Sequence, residues 1–201
     1  MIGLINTGAC NLASFGLALE RLDCPFVTID SPDQLAQCEK LVLPGVGSFG
    51  AAVANLVERN LAPEIRRSVT EDNTPILGIC LGMHLLFSSS EEKAGAHGIG
   101  ILDGKVSRLN NNDVARVPNI GWDHVDPKKG ARLFSKTSAS DHFYFSHSYY
   151  CQPADDAATS AYIGDTQVCC AVESNHIFGV QFHPEKSHKA GLNIIENFLE
   201  Y

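Results

Sequence analysis

The chain has 201 residues, 44% apolar and 19% charged, with a net charge of −8. That length can bury one sizeable core, and an acidic balance without any basic run excludes a general nucleic-acid binder. The seven cysteines are odd in number, irregularly spaced and free of Cys-x-x-Cys pairs, which argues against a disulfide framework or a zinc site. The N-terminus has neither a charged start nor a long apolar stretch, and no segment is long enough to span a bilayer, so a reduced, cytoplasmic protein is expected.

Strand-like and helix-like segments alternate through the first half. Residues 2–6 read as a strand, and residues 11–22 as a helix with Leu12, Phe15, Leu19 and Leu22 on one face. Residues 26–29 form a second strand. Ser31-Pro32-Asp33 opens a helix, with Ser31 as its cap and Pro32 in its first position. Residues 40–43 are a third strand ended by Pro44-Gly45, and helices follow from Phe49 and over 62–69. Residues 75–79 are a strand and 83–87 a helix. Such alternation predicts a parallel sheet covered on both faces.

The second half reads differently. Residues 105–109, 143–150, 158–163, 167–173 and 177–182 are predicted strands, with hairpin turns at Gly164-Asp165 and Ser174-Asn175. Residues 187–201 close the chain as a helix with Leu192, Ile195 and Leu199 on its buried face. Cys169 and Cys170 should point to opposite strand faces. The expected fold is a single α/β domain over 1–201, with a mostly parallel open sheet covered by helices and antiparallel strands in its second half.

Gly78-Ile79-Cys80-Leu81-Gly82 places a thiol between two glycines at a strand-to-helix turn. That is the layout of a nucleophile elbow, and a helix start favours thiolate. A catalytic cysteine needs a base, a group orienting that base, and oxyanion donors. His183 ends an apolar strand in Phe182-His183-Pro184-Glu185, and Glu185, two residues on, can lie on the same side. Pro44-Gly45-Val46-Gly47 ends a third strand and can present N–H groups together with Leu81. All three features fall at carboxyl ends of strands, where open α/β sheets bind ligands. Each alone is more often a buried thiol, a structural histidine or a plain turn; together, at matching strand ends, they point to catalysis. The remaining histidines form no metal-ligand spacing. His147 is either a local structural residue or a substrate contact, and Trp122 either a core aromatic or an exposed anchor in a loop.

These two motifs, 78–82 and 182–185, resemble the signatures of class I (triad-type) glutamine amidotransferases. Together with residues 6–15, 44–47, 117–122, 144–150 and 181–187 they are similar to the glutaminase-subunit family of imidazole glycerol phosphate synthase. The resemblance implies that Cys80, His183 and Glu185 hydrolyse glutamine to glutamate and ammonia through a thioester. It also implies an oxyanion hole from the Val46 and Leu81 N–H groups after a peptide flip, and glutamine contacts from Gly47, His84, His147 and Ser148. No cofactor or metal is implied. Ammonia would pass to a (β/α)8-barrel cyclase partner in a heterodimer, docked through Asn11, Trp122, Tyr144 and Lys186, for histidine biosynthesis. The alternatives are another class I amidotransferase, a γ-glutamyl hydrolase, or a weakened docking subunit of the same synthase. The chain departs from the family pattern at His84, where Gln is usual, and at Asn119 and Asp123, where His and Asn are usual.

Overall fold

The computed structural model describes residues 1–8 and 10–201; Ala9, inside the 6–15 segment, lies outside the described residues. The apolar strands Ile2–Ile5 (β1), Phe26–Ile29 (β2), Lys40–Gly45 (β3) and Ile76–Cys80 (β4) pair in parallel in the order β2-β1-β3-β4. The inner strands β1, β3 and β4 are buried on both faces, which is why they read as continuous apolar runs, while β2 at the sheet edge is half-buried. Leu4 and Ile5 illustrate the pleat, since the first joins the core on one face and the second the core on the other.

The connections are helical and locally capped. Helix α1 (Leu12–Arg21) starts where the Asn11 side chain accepts from Ser14 N at 3.2 Å. A 3-10 turn over Pro32–Gln37 is closed by Gln34 Oε1 accepting from Ser31 N at 3.1 Å. Helix α2 (Phe49–Glu58) is capped by the Ser48 hydroxyl, which accepts from Ala51 N, and α3 (Leu61–Thr70) follows directly.

After the short helix α4 (Leu81–Leu86), Phe87–Ser90 (β5), Leu102–Arg108 (β6) and Tyr149–Pro153 (β9) build a separate three-stranded sheet. Asn119–Pro127 (β7), His142–His147 (β8), Thr159–Ile163 (β10), Cys169–Ser174 (β11) and Ile177–Val180 (β12) complete the main sheet. Its full order is β2-β1-β3-β4-β12-β11-β10-β7-β8. Parallel pairing ends where β12 lies beside β4, and every pair beyond is antiparallel. The hairpins fall at the two predicted turns.

Helices α1 and α5 (His188–Glu200) cover one face through Phe15, Leu19, Ile194 and Phe198. The other face carries α2, α3, α4 and the small sheet, with Phe49, Ile65, Leu85 and Val106 in its core. Cys170 packs on the first side and Cys169 on the second, as expected. Lys40 Nζ donates to the carbonyls of Phe198 and Leu199, tying the last turn of α5 to β3. Among the described residues, no helix is long and apolar enough to cross a membrane.

The sequence reading lacks strands β5 and β7, and other details differ from it. Strand β3 runs on through Pro44-Gly45 because both residues pair with β4. Phe87 begins a strand rather than ending a helix. The aromatic run 143–150 is two strands in different sheets, parted at Ser148. On α5 the buried stripe is Ala190, Gly191, Ile194, Ile195 and Phe198, with Leu192 and Leu199 half-buried at its margins.

Candidate active site

Cys80 is the last residue of β4, at φ 53° and ψ −110°, and α4 starts at the next residue. A non-glycine residue holds such a conformation only where its surroundings enforce it. Here they do so by close packing of glycines. A Cβ on Gly78 would lie 2.8 Å from the backbone of Gly82 and Met83, and one on Gly82 would lie 1.6 Å from the Leu43 carbonyl oxygen. The elbow therefore packs directly against β3. Helix α4 has only six residues, so its dipole is short.

Strand β12 runs parallel to β4, with Val180 opposite Ile79, and carries the chain into Gln181, Phe182 and His183. His183 Nδ1 lies 2.9 Å from Glu185 Oε1, and both side chains are buried. The predicted contact is present, but not by strand alternation. The strand ends at Val180, and a 3-10 turn over Pro184–Lys186 brings the carboxylate back. The backbone is held on all sides: His183 N donates to the Tyr144 carbonyl, and Ser187 Oγ donates to the His183 carbonyl at 2.7 Å while accepting from Tyr144 N. Burial works against a charged His183, but its hydrogen bond to Cys80 and the Glu185 carboxylate outweigh it, and its pKa is pushed up to about 9.

Gly45 pairs with Cys80, so Val46 and Gly47 emerge level with the first turn of α4. A Cβ on Gly45 would touch Leu81 and Gly82 at 3.0–3.1 Å, and Gly47 has φ +86°. Strand β3 thus delivers the Val46-Gly47 peptide beside the Leu81 N–H, one of the helix-start donors that lack an intrahelical acceptor. A cavity of about 370 Å³ opens here, lined by Val46, Gly47, Cys80, Leu81, His84, His147, Ser148 and His183. The volume suits a small metabolite.

Two buried histidines sit against this cavity. His84 Nε2 lies 2.8 Å from Gln181 Oε1, while its Nδ1 is buried without a partner among the described residues. Burial pulls its pKa down to about 4. His147 donates from Nδ1 to the Tyr149 carbonyl, and its Nε2 faces Asn119 Nδ2 at 3.4 Å. Burial also lowers His147 to about 4, against the Tyr149 bond. Both are neutral at pH 7.

Residues 9–201 match the family model described as glutamine amidotransferase class-I. The chain belongs to this family. Imidazole glycerol phosphate synthase subunit HisH of Methanocaldococcus jannaschii is 42% identical over all of this chain and 99% of its own length. The HisH subunit of Geobacillus thermodenitrificans is 42% identical over 99% of this chain and 95% of its own. Among solved structures, one described as a glutamine amidotransferase superposes with a TM-score of 0.80 at 20% identity, covering 99% of this chain and 97% of that one. PurLQS from Thermotoga maritima gives 0.77 at 19%, covering 100% and 97%. At these identities the superpositions speak to the fold alone.

In this glutamine amidotransferase the expected docking residues lie mostly together. Trp122 is on β7, not in a loop, directly across from Tyr144 on β8. It is 45% exposed, its ring 5.8 Å from Tyr144 and stacked 5.0 Å from His188. Lys186 Nζ lies 5.6 Å above the Tyr144 ring, which in turn is 6.4 Å from the His183 ring. Asn11 is exposed at the start of α1, a helix that packs on the Pro184–Lys186 turn. Sequence reasoning missed Glu92, which lines the cavity and accepts from Phe49 N at 3.1 Å. Burial raises its carboxyl. Its only signal was an acidic pair after the serine run 88–90, and the neighbouring Glu91 serves instead to hold Lys105, Ser107 and Arg108.

Proposed function

We propose that the chain is the glutaminase subunit of an imidazole glycerol phosphate synthase, a single amidotransferase domain over 1–201 with Cys80, His183 and Glu185 as its triad. The observation that carries this reading is the Glu185–His183 contact beside Cys80, at the ends of adjacent parallel strands and on one cavity. The 42% identical relatives named as HisH subunits support the synthase assignment.

An imidazolium beside a thiol favours thiolate. The Cys80 sulfur attacks the side-chain carboxamide carbon of glutamine. The resulting oxyanion accepts hydrogen bonds from the Val46 and Leu81 N–H groups, the Val46 peptide turning to do so. His183 gives its proton to the departing nitrogen, the C–N bond breaks, and ammonia leaves a glutamyl thioester on Cys80. His183, now neutral, takes a proton from water, whose oxygen attacks the thioester; glutamate departs and the sulfur is restored. Glu185 accepts from His183 Nδ1–H throughout and holds the other nitrogen toward the sulfur. Glu92 supplies a carboxylate for the substrate ammonium, with Gly47, His147 and Ser148 around the remaining polar groups.

Ammonia then passes, unprotonated in a dry passage, to the (β/α)8-barrel cyclase. There it joins a ribulosyl aminoimidazole-carboxamide nucleotide to give imidazole glycerol phosphate and aminoimidazole carboxamide ribotide. Trp122, Tyr144, Lys186 and Asn11 form the docking face. Seven unpaired cysteines support a reducing, cytoplasmic setting.

The test is synthesis by the reconstituted complex with the Cys80→Ala variant. Glutamine-dependent synthesis should vanish while synthesis from added ammonium persists. Persistence of both activities, or loss of both, would sink the assignment.

A further inference from the structure

We infer that His84 is a positioning residue that sets the orientation of the Gln181 side-chain amide, and that Gln181 thereby presents its N–H to the Cys80 sulfur. This rests on Cys80 being the nucleophile.

Gln181 is fully buried between the end of β12 and His183. Its Nε2 donates to Cys80 Sγ at 3.7 Å, and its Oε1 lies 2.8 Å from His84 Nε2. A primary amide has one donor end and one acceptor end. Two arrangements therefore fit the same atoms. In one, His84 carries its proton on Nε2 and donates to Oε1, so the NH2 group faces the sulfur. In the other, the amide is reversed, its NH2 group donates to a bare His84 Nε2, and its oxygen faces the sulfur.

The surroundings decide between them. His84 Nδ1 is buried and has no partner among the described residues. The reversed arrangement would put the ring proton there, leaving a buried donor unsatisfied, whereas the first leaves only an unpaired acceptor on a ring whose proton is already bonded. A buried unmade N–H carries a heavy penalty, so the Nε2–H form is kept. The low pKa of His84, set by burial, keeps the ring neutral across the working range and is consistent with this.

The two ends of the amide have opposite effects on the sulfur. An N–H directed at Sγ favours thiolate; a carbonyl oxygen directed there favours S–H, which donates to it. His84 lies one helical turn beyond Cys80 on α4, and Gln181 lies two residues before His183. The pair thus links the nucleophile's helix to the base's strand, and selects the amide end that supports the reactive form.

The experiment measures the pH dependence of Cys80 alkylation by iodoacetamide in the full-length chain, read by peptide mass spectrometry so that the other cysteines are scored separately. His84→Met removes the donor, and the midpoint should rise by about one pH unit, equivalent to about tenfold less thiolate below the midpoint. His84→Gln, whose amide can donate from a similar reach, should bring the midpoint back toward wild type. In the complex, His84→Met should lower kcat and leave the glutamine KM within about twofold, the pattern of a lost transition-state effect. A raised KM with an unmoved alkylation midpoint would mean that His84 touches glutamine directly, and would overturn the proposal. Nitrogen-15 NMR of the wild-type imidazole needs no variant to fold: Nε2–H at neutral pH supports the proposal, and Nδ1–H overturns it. Failure of the underlying reading is separate, since Cys80→Ala would then retain glutamine-dependent synthesis.

Discussion

Replacing Gly82 with alanine tests whether the elbow and the oxyanion loop are held in one rigid register. The new Cβ would stand 1.6 Å from the Leu43 carbonyl oxygen, where real Cβ contacts essentially never fall below 3.0 Å. Helix α4 and strand β3 must therefore part by about 1.4 Å at this point. Overpacking of this kind costs roughly 1–3 kcal/mol. For a domain of this size that corresponds to a fall in Tm of roughly 3–10 °C, leaving the protein folded at 25 °C. The catalytic effect should be larger. Val46 lies three residues beyond Leu43, just past the end of β3, and Leu81 precedes Gly82 on α4, so the same opening separates the two proposed oxyanion donors. Donors work only within about 2.7–3.1 Å of the oxyanion, and loss of one costs about 10²–10³ in kcat. Glutamine-dependent synthesis by the Gly82→Ala complex should fall by that factor, with ammonium-dependent synthesis preserved. Steady-state kinetics and a thermal melt measure both. Wild-type kcat at an unchanged Tm would refute the packing of α4 on β3 and the argument built on it.

Other outcomes follow from the same geometry. In the Glu185→Gln variant His183 loses one of the two groups that push it up to about 9. Because its folded pKa lies above the ordinary 6.5, its stabilisation is full below pH 6.5 and fades as pH rises through 9. The variant should show a smaller loss of urea midpoint over that window and a basic limb of kcat/KM displaced to lower pH; an unmoved limb would contradict the assignment. His84 and His147 have the opposite sign. Both are lowered to about 4 by burial, so the unfolded chain binds more protons below pH 6.5, and stability falls from there toward pH 4 by up to roughly 3 kcal/mol for each. A urea midpoint that stays flat from pH 7 to 5 would disprove this. Trp122→Ala should weaken cyclase binding at least about 30-fold by calorimetry, as expected for an aromatic anchor, while the free chain keeps its Tm within about 2 °C; unchanged affinity would remove Trp122 from the docking face.

The parallel half of the sheet was legible because its strands are short apolar runs bounded by turn or cap residues, as at Val46-Gly47 after β3 and Ser31-Pro32 after β2. The proposed triad was legible because Cys80 ends β4 and the His183–Glu185 pair follows closely after β12, although a 3-10 turn rather than strand alternation brings the pair together. Strand β7 was not, since it alternates half-buried and exposed residues, carries Gly121, and turns Trp122 outward. Nothing in residues 143–150 marks the break at Ser148, because both flanking strands are aromatic and only the choice of sheet separates them. The stripe on α5 was misplaced by one position because Phe198 and Ile194 point to the sheet while Leu192 and Leu199 flank them. Glu92 and Gln181 escaped because their roles depend on partners distant in the chain, Phe49 for one and His84 and Cys80 for the other. The assignment of Val46, Gly47 and the docking residues came from family resemblance; local pattern gave only a glycine-rich turn and a lone tryptophan.

The position of β12 governs when a newly made molecule gains its chemistry. This strand follows the other strands in sequence yet fills the place between β4 and β11. Gln181 and Cys80 are 101 residues apart, so bringing them together closes a long loop. Until it closes, β4 presents an open edge able to pair with other chains, and the thiol has no base. A chain that stops before β12 thus keeps that edge exposed and holds the Cys80 thiol without the histidine proposed to act on it.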